Sequence, residues 1–216
     1  MELALCVAGG GLGLAFGSAA AGVQHRLYRN PEYRGHPATG RRLLVMRLLL
    51  GAACAIVVAL ALRPGHYDLL PALATAAFGI LLTVIASTDF ERRIIPNRLS
   101  YPGVIAALLL CWVWPDRSVL DIAIGTAFAL GVGGLLFLLG AAAGNALGMG
   151  DAKLIVLLGA IIGWPGVMYA LFIGVIAAAI PAFALLVAGK RRTFYSYGPY
   201  LVLGGLIVML WPERFF

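Results

Sequence analysis

The chain has 216 residues, of which 62% are hydrophobic and 12% charged, with a formal net charge of +7 and a mean hydropathy of +0.97. A soluble core of this size cannot hide so much apolar surface, so the composition excludes an ordinary soluble domain and indicates a polytopic membrane protein. The basic excess is accounted for by topogenic charge lying against anionic headgroups, and nucleic-acid binding is not required.

The N-terminal stretch MELALCVAGGGLGLAFGSAAAGV has no basic leader region and is followed by many similar runs, so it is expected to be a first span and not a cleaved signal peptide. With about 20 helical residues needed per bilayer crossing, apolar runs mark spans near 2–23, 43–62, 69–88, 98–114, 119–143, 145–164, 166–188 and 198–211. The expected fold is therefore an all-α, polytopic helical bundle of about eight transmembrane helices. A two-helix region over 1–68 precedes a six-helix domain over 69–216. Gly9, Gly13 and Gly17, continued at Ala21, give the first helix a nearly smooth face for close packing, and Gly140, Gly144 and Gly148 repeat the spacing farther on. Cys6, Cys54 and Cys111 stand singly in apolar runs without any CxxC pair, which argues for inert thiols and against structural zinc.

Thirteen of the 16 lysines and arginines fall in one set of loops: Arg26 to Arg47, then Arg92, Arg93 and Arg98, then Lys153, then Lys190 to Arg192. The other side keeps Arg63, Arg117 and Arg214. By the positive-inside rule the first set faces the cytoplasm and both termini face outward. Trp112, Trp114, Trp164 and Trp211 fall near the outer ends of spans, where an aromatic belt belongs.

Two polar islands interrupt the apolar pattern. STDFERRIIPNRLSYP, 87–102, sets Asp89 at the end of the third run, and Pro96 is suited to open the fourth because its missing N–H costs nothing in a first turn. The second island is GMGDAKL, 148–154. Only LIVLLGAIIGW separates Lys153 from the turn at GWPG, roughly 16 Å of helix against a ~30 Å hydrocarbon core. A spanning helix must therefore begin near Asn145, which draws Gly148, Gly150, Asp151 and Lys153 to the membrane or its inner boundary. An ionisable residue there is a functional candidate; the competing reading is a solvated cap, or a pair with Lys153. Of the nine acidic residues, Asp89 and Asp151 are the two at cytoplasmic helix ends. Two aspartates from separate helices that share one proton can divide the work of peptide hydrolysis, one as base on water and one polarising the carbonyl.

GMGD resembles the GxGD motif of intramembrane aspartyl proteases, and ALGMGDAKLIVLLGAIIGW is similar to the second catalytic segment of the type IV prepilin peptidases. DFERRIIPNRLSYPGV is similar to that family's other aspartate segment, in which an Asp is followed several residues later by I/L-P-N/D. YSYGPYLVLGGL carries the family's Gly-Pro at the start of its last helix, Gly198 and Pro199. GSAAAGVQHRL resembles its N-terminal pattern through Gly17, Ser18, His25, Arg26 and Leu27. The resemblance implies that Asp89 and Asp151 are catalytic, with Gly148, Gly150, Lys153, Pro96 and Asn97 shaping the site. It also implies an aspartic endopeptidase of the bacterial inner membrane. Such enzymes cut the short, positively charged leader of prepilins or pseudopilins at the cytoplasmic face, after a glycine and before a hydrophobic segment. Partners are then the prepilin N-terminal segment and membrane lipids, with oligomeric state left open.

Many members also methylate the new N-terminus with S-adenosylmethionine, and the departures from the pattern lie in the region associated with that step. VQHRLYRNPEYRGHPATGRR lacks the two CxxC pairs that full-length members often carry there. Ala21 stands where the pattern has an asparagine, and RRLLVMRLLL lacks an acidic residue. Peptidase activity is thus expected with no cofactor, S-adenosylmethionine entering only if methylation is retained. His25 and His36 are expected to be loop residues and not metal ligands. The rival class is a small ion-coupled transporter or channel using Asp89, Asp151 and Lys153 as a proton relay; a third reading is an inactive assembly scaffold that keeps both aspartates.

Overall fold

Where lipid supplies no hydrogen-bond partners, a helix satisfies the backbone within one segment, and the regular structure among the described residues is helical. The computed structural model describes residues 2–27, 40–65, 67–142, 149–187 and 196–216. Among these are eight α-helices: α1 Glu2–Leu27, α2 Gly40–Ala61, α3 Leu69–Arg92, α4 Asn97–Leu109, α5 Val119–Ala142, α6 Met149–Ile162, α7 Gly166–Val187 and α8 Gly198–Leu210. Among the described residues, four segments are long and apolar enough to cross a membrane: Leu43–Ala61, Leu69–Arg92, Val119–Ala142 and Gly166–Ala184. The chain is a polytopic helical membrane protein.

Two compact units divide the chain, Met1–Thr88 and Asp89–Phe216, the boundary falling inside α3. In the first, α1 and α2 pack antiparallel along the glycine face of α1. A Cβ at Gly13 would stand 2.7 Å from the Cys54 carbonyl oxygen, and one at Gly17 2.7 Å from that of Leu50. Any side chain at these positions would force the backbones apart, so the smooth face read from the sequence is the packing face. Gln24, almost fully buried, donates from Nε2 to the Val84 carbonyl at 3.1 Å and ties α1 to α3. Cys54 is buried and Cys111 half-buried.

In the second unit α6 lies against α4, α5, α7 and α8, and every residue from Leu157 to Ile162 is buried. Its 14 residues make about 21 Å of helix, short of a full crossing. A short helix is tolerable at membrane depth when protein, not lipid, surrounds it. The start expected near Asn145 lies outside the described residues. Ser118 and Asp121 form a reciprocal cap at the head of α5: the Ser118 amide and hydroxyl donate to Asp121 Oδ2 at 2.8 and 2.7 Å, and the Asp121 amide to Ser118 Oγ at 3.2 Å.

Three expectations need correction. The fourth apolar run was expected to be helical to 114, yet α4 stops at Leu109; the chain leaves helical geometry at Leu110 (φ −100°, ψ 11°) and turns so that Trp114 and Arg117 point inward. Trp114 is consequently 2% exposed and is no belt residue, unlike Trp112, which is exposed. His25 likewise lies within α1, not in a loop, while His36 lies outside the described residues.

Arg117 explains that turn. Its Nη1 donates to the carbonyls of Ile161 and Ile162 at 2.9 and 3.0 Å, its Nε to Asp116 Oδ1 at 3.2 Å, and its guanidinium lies 4.8 Å from the Trp114 ring and 5.2 Å from that of Phe216. The last carbonyls of α6 have no intrahelical donor, and a buried cation at a helix C-terminus supplies one with favourable charge. Arg117→Ala strands both carbonyls and is expected to cost roughly 2–4 kcal/mol. Thermal unfolding in detergent should show a lowered midpoint, with Arg117→Lys intermediate because an ammonium lacks the planar fork.

Candidate active site

Asp89 lies in the last turn of α3, which ends at Arg92. Arg93 adopts the left-handed conformation (φ 55°) and donates its amide to the Asp89 carbonyl at 2.8 Å. That conformation costs a non-glycine residue on the order of 1 kcal/mol, and it turns the chain sharply out of α3. Pro96 then heads α4 with φ −67° and ψ 125°, its carbonyl accepting from the Leu99 and Ser100 amides at 3.0 and 3.1 Å. The spacing from Asp89 to Pro96 and Asn97 is thus a helix end, a left-handed turn and a new helix start.

Asp151 lies in the first turn of α6, where a carboxylate is favoured by the helix dipole. Gly150 beside it faces Ile95: an added Cβ would come within 3.3 Å of that side chain. The glycine therefore lets the segment ahead of Pro96 close onto the start of α6, joining the two polar islands. Across α6, a Cβ on Gly133 of α5 would stand 3.0 Å from the Ala152 carbonyl oxygen. Gly148 lies outside the described residues.

The Asp89 side chain is 5% exposed, and Asp151 is half-buried. They are close enough for the charge of Asp89 to act on Asp151, and the Arg93 guanidinium acts in turn on Asp89. Lys153 is directed elsewhere. Its Nζ donates to Asn97 Oδ1 at 2.8 Å and lies 5.3 Å from the centre of the Tyr101 ring, so it fastens α6 to α4 and does not pair with Asp151.

A third element reaches the site. Asp89 Oδ2 accepts the Gly198 amide at 3.0 Å and the Ser196 hydroxyl, both at the start of α8. The sequence points to Gly198 and Pro199 and not to Ser196. The available signal was a hydroxyl two residues ahead of a Gly-Pro helix start, on the same expected membrane side as Asp89. The arrangement can hold one carboxylate with neutral donors and set a second carboxylate against it, as paired acid–base work on a water requires.

A family model described as the type IV leader peptidase family matches residues 76–183, a stretch that contains both aspartates and ends before Ser196. No curated protein and no solved structure matches the chain.

Proposed function

The chain belongs to the type IV leader peptidase family and is an aspartic-type prepilin peptidase of the membrane; from that premise we propose that Asp89 and Asp151 are its catalytic pair. The observation that carries the reading is that α3 and α6, with Gly150 closed onto Ile95, bring two carboxylates from different helices near enough for the charge of one to act on the other. Like charges so placed favour a state in which one proton serves both. The ionised member takes a proton from water as its oxygen attacks the scissile carbonyl, and the protonated member donates to the carbonyl oxygen. When the C–N bond breaks, the leaving nitrogen takes up the proton that came from water, and a hydroxyl of the tetrahedral diol returns its proton to the other carboxylate, which restores the shared-proton pair.

The substrate is the N-terminal segment of a prepilin or pseudopilin, whose basic leader remains at the cytoplasmic face. Eight crossings, with the termini outward and the two aspartates toward the cytoplasm of the bacterial inner membrane, agree with the partition of basic residues. Residues 69–216 form the peptidase region and 1–68 a preceding two-helix region. S-adenosylmethionine belongs to the scheme only if methylation is retained. The relay reading needs Lys153 beside the carboxylates, whereas its hydrogen bond goes to Asn97.

Membranes containing the protein are expected to convert a prepilin-like precursor to a product whose new N-terminus, read by mass spectrometry, follows the leader glycine. Absence of conversion by folded protein would overturn the substrate. Labelling of single cysteines should find the segments 24–42 and 189–197 on the cytoplasmic side and those at 63–68 and 115–118 outside. Asp89 and Asp151 found on opposite sides would end the pairing.

A further inference from the structure

We infer that Ser196 is a positioning residue for the aspartyl pair: with the Gly198 amide it holds Asp89 Oδ2 and leaves Oδ1 to act on water and to share the proton with Asp151. The inference rests on the reading of Asp89 and Asp151 as catalytic, and it concerns what decides the orientation of one of them.

A carboxylate turns easily about its last bond, because that torsion is broad and nearly two-fold. Either oxygen can then face the partner, and a pair that must hold one proton in one place loses its definition. At the head of α8 this freedom is removed. Ser196 Oγ and the Gly198 amide both donate to the same oxygen, Oδ2. The local backbone leaves little else to serve. Pro199 has no N–H, and the amides of Tyr200 and Leu201 donate to the Tyr197 carbonyl at 3.2 and 3.3 Å, so the helix presents the Gly198 amide to the carboxylate. The dipole of α8 adds to that attraction. Glycine at 198 is needed for the approach, since a Cβ there would run into the carboxyl group.

The charged groups acting on Asp89 are Asp151 on α6 and Arg93 just beyond its own helix. Neither chooses between its oxygens as a directed donor does. With Ser196 replaced by a residue lacking the hydroxyl, Gly198 alone remains, and one hydrogen bond does not stop the group from turning. The half-exposed position of Ser196 gives room for a larger side chain, so the hydroxyl can be tested apart from bulk.

Threonine and valine have nearly the same shape and differ in the hydroxyl. Cleavage of a detergent-solubilised prepilin-like precursor is measured for wild type, Ser196→Ala, Ser196→Val and Ser196→Thr, each normalised to folded protein. Ala and Val are expected to lower kcat roughly 10- to 100-fold with KM within about twofold of wild type, and Thr to restore kcat to within about threefold, because an interaction used in the reaction and not in binding is being removed. Wild-type kcat in the valine variant, or a threonine variant as slow as the valine one, would overturn the positioning role. Asp89→Asn is assayed beside them to separate this inference from its premise. An inactive Asp89→Asn with a fully active Ser196→Val overturns the role of Ser196 alone, whereas an active Asp89→Asn overturns the catalytic pair and this inference together.

Discussion

Asp89→Asn and Asp151→Asn are each expected to abolish leader cleavage, with a fall of more than about a thousandfold, while the protein accumulates in the membrane as wild type does. An amide has nearly the shape of a carboxylate and keeps one acceptor oxygen, so packing around Asp89 and the bonds from Ser196 and Gly198 can persist. What it cannot do is accept a proton from water or hold the proton of a shared pair. Because the two groups act as one device, the losses do not add, and the double variant is expected to be scarcely slower than either single one. Lys153→Ala is the contrast. It removes the tie from α6 to Asn97 and Tyr101 and should cost less than tenfold, since no reacting group loses a partner. Conversion of precursor to mature product, with amounts of folded variant matched, decides the matter; cleavage at the wild-type rate by either asparagine variant would refute the assignment.

Gly198→Ala is expected to reduce cleavage about a hundredfold without loss of folded protein. The added carbon would stand 2.9 Å from Asp89 Cγ and 3.3 Å from its Cβ, with Oδ2 nearer still. The carboxyl group must swing aside and give up both donors, whereas the helix itself is not harmed, alanine being the better helix former. Gly134→Ala is the control, because nothing lies within 4 Å of a Cβ at that position; it should cleave as wild type. Normal cleavage by Gly198→Ala would mean that Asp89 reacts from some other orientation.

The helices were readable because bilayer and backbone leave so few alternatives. Runs of apolar residues bounded by Gly-Trp-Pro-Gly, Ile-Pro-Asn and Tyr-Gly-Pro fall within a few residues of α3, α6, α7 and α8. Both aspartates were legible as well, being carboxylates at helix ends in a chain with little polar surface. What a linear reading could not supply was the direction of side chains. Two positions after Asp151 along a helix, Lys153 looks onto a different neighbour, and its partner is 56 residues away in the chain. Trp114 resembled a belt residue because it ends an apolar run. The break at Leu110 turns it inward instead, beneath an arginine whose role depends on carbonyls 44 and 45 residues later. Ser196 is hidden in the sequence for the same reason: a serine near a helix start is ordinary, and only the fold sets a buried carboxylate against it.

The bond from Gly198 to Asp89 joins positions 109 residues apart. At ribosomal speeds of about 5–20 residues per second, the donors are made roughly 5–20 s after the carboxylate they hold. Throughout that interval the nascent chain can already contain Asp89 and, later, Asp151, without the two donors that hold Asp89 Oδ2 in the finished fold. On the proposed pairing, the protein is expected to reach full activity only once its last helix has joined the bundle and brought both donors to Asp89.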